Sequence, residues 1–196
     1  MKILEALKKR HSAYSLSKKS KLSDEAVIAL VEEALLLTPS AFNAQSQRIA
    51  ILFGRDSDRF WDNTLEEVKK VAPKDGISET ESKIKQFKGQ GTILYFIDMD
   101  TVHNLEINYP LYKENFYNWA QQENAMLQLV IWTALSESDL GASLQHYNPL
   151  IDEMVYDEFN LNRNWKLIAQ MPFGGHESEI ILKEKMDLNE RLVVFK

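Results

Sequence analysis

The sequence predicts a single domain of the α+β class. Apolar residues recur at helical spacing in some segments and form short β-rich runs in others. The two patterns alternate irregularly, without the regular strand–helix–strand order of a doubly wound fold. No internal repeat, low-complexity segment or linker divides the 196 residues. A chain of this length buries roughly 70% of its unfolded surface as one compact unit, so residues 1–196 are expected to form one domain.

Two helices are predicted near the N-terminus. Apolar residues have helical spacing within Ile3–Leu7, and the basic residues Lys8–Arg10 end this first helix. The second helix begins at Ser23, whose side chain is suited to capping its first turn, and Pro39 ends it.

The next part of the chain predicts two strands separated by two helices. Arg48–Phe53 is expected to form a buried strand, followed by helices over Arg55–Val71 and Thr80–Lys88 with a turn at Pro73–Gly76. Thr92–Ile97 is almost continuously apolar, which predicts a central strand covered on both faces.

A long and heavily buried helix is the main prediction for the second half of the chain. The elements expected there are the helix Tyr112–Leu135, a short strand Ala142–Tyr147, a helix Asn148–Phe159, a strand Trp165–Met171 closed by Pro172–Gly175, and a strand-like tail Arg191–Lys196. The apolar residues of the long helix cover more than one face, which makes it the candidate core of a dimer, with the central helix of a monomer as the alternative.

Composition and charge exclude several classes of partner. The chain has 29 acidic and 23 basic residues and a net charge of −6, so no nucleic-acid partner is expected. No apolar run reaches the ~18 residues of a membrane span, so no membrane partner is expected either. There is no cysteine, which excludes disulfides and thiolate chemistry. A soluble cytoplasmic protein is the expectation.

The common catalytic signatures are absent. The sequence contains no dinucleotide-binding glycine motif, no phosphate-binding P-loop, no zinc-protease motif and no nucleophile elbow. The four histidines, His11, His103, His146 and His176, are scattered without metal-ligand spacing. No metal and no acid, base or nucleophile of a familiar type is therefore expected from this chain.

A polar segment follows the first predicted helix and is a candidate anion site. Arg10 offers a rigid fork of donors that matches phosphate, and Ser12 adds a hydroxyl. The alternative is a solvated helix end whose cations complement the helix dipole.

A second polar segment, Pro39–Ser46, lies between a helix and a buried strand. Its amide side chains, Asn43 and Gln45, both donate and accept hydrogen bonds and therefore suit the imide edge of a flavin ring. The alternative is an ordinary connection whose polar side chains satisfy loop backbone.

Taken together, these segments resemble the nitroreductase family of FMN-dependent oxidoreductases, and more closely its fatty-acid-repression-type subgroup and bacterial relatives. The resemblance covers essentially the whole chain. The matching motifs are Arg10-His11-Ser12, Thr38–Ser46, Trp61-Asp62, Leu140–Tyr147, Met171–Gly174 and Val194–Lys196.

The resemblance implies a nitroreductase-like FMN-binding domain with a central mixed β-sheet flanked by helices, in an intertwined homodimer. It implies cofactor-binding roles for Arg10, His11 and Ser12 at the FMN phosphate and ribityl chain; for Ser40, Ala41, Asn43 and Gln45 in a loop that approaches the flavin from the partner subunit; for Ala142, Ser143, Leu144 and Gln145 beside the isoalloxazine ring; and for Arg191 as a second phosphate cation.

The activity implied by the resemblance is reduction of nitroaromatics, quinones or similar electron-poor small molecules with NAD(P)H as electron donor, by a ping-pong hydride mechanism on flavin N5. Such chemistry needs no catalytic side chain from the protein, in agreement with the missing signatures. Two alternatives remain open: a flavin-binding stress or lipid-response regulatory protein with little turnover, and an interaction protein without flavin.

Overall fold

The computed structural model describes residues 2–73, 76–176 and 183–196. The α-helices in these residues are α1 Lys2–Lys9, α2 Asp24–Leu37, α3 Gly54–Val71, α4 Ile77–Lys85, α5 Met99–Asn108, α6 Lys113–Glu137 and α7 Asp152–Phe159. The strands are β1 Leu16–Ser17, β2 Gln47–Phe53, β3 Gly91–Asp98, β4 Gly141–Ala142 and β5 Trp165–His176. Short 3-10 helices cover Ala41–Asn43, Pro110–Tyr112 and Leu188–Glu190.

The five strands form one sheet in the order β1-β5-β3-β2, and β4 pairs with β5 at Phe173 and Gly174. The α+β class is confirmed. All the ladders between described strands are antiparallel, whereas the resemblance implied a mixed sheet. Parallel pairing among the described residues is limited to an isolated bridge between Ser12 and Ala142.

The antiparallel pairing of β2 with β3 follows from the two helices between them. A single crossover helix returns the chain to the start of the strand it left, which produces a parallel pair. Here β2 and β3 are separated by two helices, α3 and α4, which pack on each other. A pair of helices runs out and back, so the chain enters β3 at the end where β2 finished.

β3 is the centre of the core, as the sequence predicts, and all eight of its residues are buried. Its side chains alternate between two apolar clusters. Ile93 and Tyr95 pack with residues of α2 and α6, while Leu94 and Phe96 pack with residues of α3, α4 and α7. The expected central strand, covered on both faces, is therefore confirmed.

The two long helices on the first face of the sheet also agree with the sequence. The Ser23 hydroxyl accepts a hydrogen bond from the Ala26 amide at 3.3 Å, which caps α2 as expected, and the helix ends just before Pro39. α6 extends the predicted helix by two residues at its C-terminal end. One face of α6 lies in the core, and Met126, Leu129 and Val130 on another face are 42–46% exposed.

β5 continues beyond the stop predicted at Pro172–Gly175 and ends at His176. The glycines mark a close approach between backbones rather than a turn. A Cβ atom on Gly175 would lie 1.9 Å from the Lys19 carbonyl oxygen, and one on Gly174 would lie 2.5 Å from that of Ser17. Glycine at these positions therefore lets β1 and the chain after it pack directly against β5.

The strand-like tail predicted over Arg191–Lys196 is wrong, because these residues have no strand structure and are exposed. β-branched and aromatic residues form a strand only where a neighbouring strand and a packed face are present. The sequence reasoning also missed α5, whose first turn is capped by the Asp98 carboxylate accepting from the Asp100 amide at 3.1 Å. Two residues of the predicted turn, Lys74 and Asp75, lie outside the described residues.

Candidate functional site

The structure brings two of the predicted site segments together, although about 130 residues separate them in the sequence. Ser12 forms a parallel bridge with Ala142, and the Ala13 amide donates to the Ala142 carbonyl at 3.0 Å. The same carbonyl accepts from Nε1 of Trp132, on α6, at 3.1 Å. The segment after α1 is thereby fixed beside β4 and the last turns of α6.

Arg10 stands at this junction. Its guanidinium carbon lies 4.2 Å from the centre of the Trp132 ring, and the residue is half-buried. Stacking uses the face of a guanidinium, whereas its five N–H donors point outward in its plane. This arrangement holds the Arg10 side chain in place, and its in-plane N–H donors remain suited to a bidentate contact with an anion.

His11 adds a buried polar atom to the same place. Its Nδ1 lies 3.1 Å from the Lys9 carbonyl oxygen, and its ring meets that of His176 edge to face at 5.3 Å. Nε2 of His11 is buried and has no hydrogen-bond partner among the described residues. Unpaired buried polar atoms are rare in folded proteins, so this nitrogen makes His11 a candidate binding residue.

The predicted segment Ala142–Gln145 is buried but only partly a strand. β4 covers Gly141–Ala142, and pairing resumes at a single bridge between Gln145 and Gln170 of β5. Ser143 and Gln145 are buried, and Nε2 of the Gln145 side chain donates to the Ser143 hydroxyl at 3.0 Å, while Leu144 is half-buried. The predicted strand to Tyr147 is therefore wrong in its extent, because its polar side chains bond locally.

Gln170 fixes the shape of this segment from the middle of β5. Its side-chain oxygen accepts from the Tyr147 amide at 2.8 Å, and its side-chain nitrogen donates to Oδ1 of Asn148 at 3.3 Å. Its backbone exchanges two hydrogen bonds with Gln145, at 2.7 and 2.9 Å. The fully buried side chain of Gln170 therefore fixes Tyr147 and Asn148, which follow the segment Ala142–Gln145.

Replacing Gln170 with leucine is expected to lower the free energy of unfolding by about 1–3 kcal/mol, because the Tyr147 amide and the Asn148 side chain lose their partners in a part-buried region. Urea denaturation measures this change. The same substitution at Gln86, which is exposed at the end of α4, should change it by less than about 0.5 kcal/mol. Equal effects at the two positions would contradict the positioning role of Gln170.

The loop at residues 40–46 has a strained backbone. Phe42, Asn43 and Gln45 all have left-handed φ values, of 57°, 51° and 50°. Non-glycine residues in this region cost of order 1 kcal/mol each, and asparagine tolerates it best. The Ser40 hydroxyl accepts from the Gln45 amide at 2.9 Å, which closes the loop on itself.

The loop presents its two amide side chains to the outside. Asn43 and Gln45 are exposed, whereas Ser40 and Ala41 are half-buried. Arg48 supports the loop from below, because one of its nitrogens donates to the Gln45 carbonyl at 2.7 Å and another to Asp98 at 2.6 Å. The amides are therefore available to a ligand or a second chain, while the backbone behind them is fixed.

Sequence reasoning missed two features of this loop. Glu123 of α6 is buried beneath it and accepts from the Ala41 amide at 2.6 Å. Phe42 is half exposed and packs on an aromatic cluster, with its ring centre 4.9–5.9 Å from those of its partners Tyr109, Tyr112, Phe116 and Trp119. The signal for Glu123 was a polar residue on a buried helix face. The signal for the aromatic cluster was the dense run of aromatic residues that leads up to Trp119.

Within one chain, the two halves of the predicted site contact α6 at different points along its length. The loop contacts α6 at Glu123, and Arg10 contacts the same helix at Trp132, nine residues further along. At 1.5 Å per residue these contacts are about 14 Å apart along the helix axis. Arg191, the proposed second cation, is exposed just after the 3-10 helix Leu188–Glu190.

Within residues 2–73, 76–176 and 183–196, no group of three His, Cys, Asp or Glu side chains is arranged to hold a metal ion. Among the helices of those residues, none is both long and apolar enough to span a bilayer.

Comparisons with known proteins agree with this geometry. The model of the nitroreductase family matches residues 7–175. Nitroreductase FRM2 of Saccharomyces cerevisiae is 28% identical over 139 residues, which cover 70% of this chain and 67% of FRM2.

Solved structures extend the comparison to the fold. Nitroreductase CinD from Lactococcus lactis in complex with nicotinic acid has a TM-score of 0.92 and 39% identity, covering 99% of this chain and 100% of CinD. CinD has also been solved with 4-nitrophenol. A nitroreductase with bound FMN from Desulfitobacterium hafniense has a TM-score of 0.73 and 14% identity over 100% of this chain and 99% of its own, which is a likeness of fold. The chain belongs to the nitroreductase family and is similar to its FRM2-type members.

Proposed function

We propose that this protein is an FMN-dependent NAD(P)H oxidoreductase that reduces nitroaromatics, quinones or similar electron-poor small molecules. The whole chain would act as one FMN-binding domain in a homodimer. Membership of the nitroreductase family supports a flavin-dependent oxidoreductase. The contact between the segment Arg10-His11-Ser12 and Ala142 supports the proposal further. Both segments would have to contact the same FMN in such an enzyme.

The residues at this junction fit the phosphate end of FMN. Arg10 supplies in-plane donors on a fixed guanidinium, and Ser12 adds a hydroxyl two residues further along the chain. Nε2 of His11 is buried without a partner in the described structure, as expected of an atom that a ligand contacts. Arg191, exposed on the tail, is proposed as a second phosphate cation.

A second copy of the chain would bring the other half of the site. We place the loop of one subunit over the cofactor held by the other, as the family resemblance implies; within one chain the 40–46 loop and Arg10 contact α6 about 14 Å apart. The apolar side chains left exposed on α6, Met126, Leu129 and Val130, suit a dimer interface. The exposed amides Asn43 and Gln45 would then face the flavin imide edge.

The protein's part in the reaction would be to bind and orient. Bound FMN supplies hydride chemistry, for which no acid, base or nucleophile is needed from the chain. The half-buried Leu144 and the aromatic ring of Phe42 offer apolar walls, while Asn43 and Gln45 offer hydrogen bonds. In the relative CinD, nicotinic acid and 4-nitrophenol are bound. The pyridine ring of nicotinic acid supports a nicotinamide as the electron donor, and the ring of 4-nitrophenol supports nitroaromatics as electron acceptors.

Anaerobic titration tests the proposal. The purified protein is reconstituted with FMN and mixed with NADH or NADPH, and the flavin absorption in the visible range is followed. We expect the absorption to be bleached and then restored by a quinone or a nitroaromatic. Free FMN at the same concentration is the control.

Two results would contradict the proposal. A preparation that cannot be reconstituted with FMN would exclude the cofactor role. Bound FMN that neither nicotinamide bleaches would exclude the enzymatic role and leave the flavin-binding regulatory alternative.

A further inference from the structure

Glu123 is a buried carboxylate in the middle of α6. It is 2% exposed, and its two oxygens have different partners. Oε1 accepts from the Ala41 amide at 2.6 Å, and Oε2 accepts from the Ser46 hydroxyl at 3.3 Å. Within the described residues it has no ion-pair partner. Burial raises the pKa of this carboxyl, and the two hydrogen bonds act in the opposite direction.

The two partners of Glu123 lie at the two ends of the strained segment. Ala41 precedes Phe42 and Asn43, and Ser46 directly follows Gln45, so the left-handed residues lie between them. The Ser40–Gln45 hydrogen bond closes the loop from inside, but it does not attach the loop to the rest of the protein. Glu123 attaches both ends of the loop to α6, in addition to the Arg48 hydrogen bond and the ring contacts of Phe42.

We propose that Glu123 is a positioning residue, which holds the 40–46 loop in its left-handed conformation and so sets how Asn43 and Gln45 meet the flavin. The second part rests on the proposed function, whereas the first part concerns the loop alone. A buried charged acceptor is unfavourable unless it is hydrogen-bonded, and here both oxygens are used to fix one loop. An apolar side chain at this position could pack in the core, but it could not accept the two hydrogen bonds from the loop.

The chemistry of the contacts predicts which substitutions are tolerated. Glutamine in place of Glu123 keeps one oxygen for the Ala41 amide, and its NH2 group can donate to the Ser46 hydroxyl, which also accepts. Alanine leaves both groups without a partner. Glu123→Gln should therefore preserve the loop, and Glu123→Ala should release it.

Hydrogen exchange measures the hold on the loop directly. In Glu123→Ala the amides of residues 40–46 should exchange about tenfold faster than in the wild type, while those of β3 stay protected. Glu123→Gln should stay within about threefold of the wild type. Glu114→Ala is the matched control, because Glu114 is an exposed carboxylate in the first turn of the same helix.

FMN binding is the second measurement. We expect Kd to rise about tenfold in Glu123→Ala, with a changed visible spectrum of the bound flavin, and to recover in Glu123→Gln. Normal exchange in residues 40–46 of Glu123→Ala, or failure of Glu123→Gln to restore it, would overturn the positioning role. Faster exchange with unchanged FMN affinity and spectrum would overturn its effect on the flavin.

Two outcomes need a separate measurement: a Glu123→Ala variant that does not fold, and a wild type that binds no FMN. If Glu123→Ala does not fold, Ser46→Ala removes one of the two contacts, and an unchanged exchange rate in the loop would overturn the inference. If the wild type itself binds no FMN, the proposed function fails, and the exchange data still decide whether Glu123 holds the loop.

Discussion

Replacing Arg10 with alanine is expected to weaken FMN binding by about 10- to 100-fold. A charge-assisted hydrogen bond to phosphate contributes roughly 1.5–3 kcal/mol, and each 1.4 kcal/mol is about a factor of ten. Arg10 is half-buried and stacked on Trp132, so its donors are held in one place and little order is lost on binding. Flavin fluorescence during titration with FMN measures the change.

The controls for Arg10 separate binding from folding. Arg10→Lys keeps the charge but loses the planar fork and most of the stacking, so its affinity should fall between alanine and the wild type. Arg55→Ala removes an exposed arginine at the start of α3 and should leave FMN affinity unchanged. If Arg10→Ala binds FMN as the wild type does, Arg10 is a structural residue and the proposed phosphate site is wrong.

Replacing Trp61 with alanine is expected to lower the free energy of unfolding by about 3–5 kcal/mol. The Trp61 side chain is fully buried on α3, and its ring centre lies 4.8 Å from those of Phe60 and Phe87 and 5.8 Å from that of Tyr147. Its Nε1 donates to the Thr92 hydroxyl of β3 at 2.8 Å. Alanine therefore leaves a cavity and also removes a buried hydrogen bond.

Denaturation in urea or by heat measures the loss at Trp61. Trp61→Phe keeps most of the apolar volume and removes the donor, so the expected loss is smaller, about 1–3 kcal/mol. Trp119→Ala removes the same side chain from a half-buried position and should also cost less than Trp61→Ala. Equal losses at Trp61 and Trp119 would contradict the central position of Trp61 in the core.

Elements with a strong local pattern could be predicted from the sequence. β3 is continuously apolar and α2 has both a cap and a proline stop, and the structure places them as expected. The tail was mispredicted because Val193 and Val194 have a high preference for strands but have no strand partner in the described structure. α5 was missed because its polar composition gives no clear apolar face, although Asp98 was an available capping signal.

Pairings between distant parts of the chain could not be predicted in the same way. The proximity of Ser12 to Ala142 depends on how β4 and β5 close the sheet edge, and no local pattern reports it. The family resemblance assigned both segments to one cofactor, and their contact in the structure is consistent with that assignment. Glu123 was not predicted, because the apolar residues of α6 dominate its pattern and a buried polar residue among them has no local signature of its partners.

One continuous helix carries both the Glu123 contact with the 40–46 loop and the Trp132 contact with Arg10, which has an evolutionary consequence. An α-helix advances about 100° per residue, so inserting or deleting one residue between Glu123 and Trp132 would rotate one contact away from the other. Related proteins are free to vary the length of the surface connections. This stretch of α6 should keep the same number of residues in every relative that uses the same arrangement.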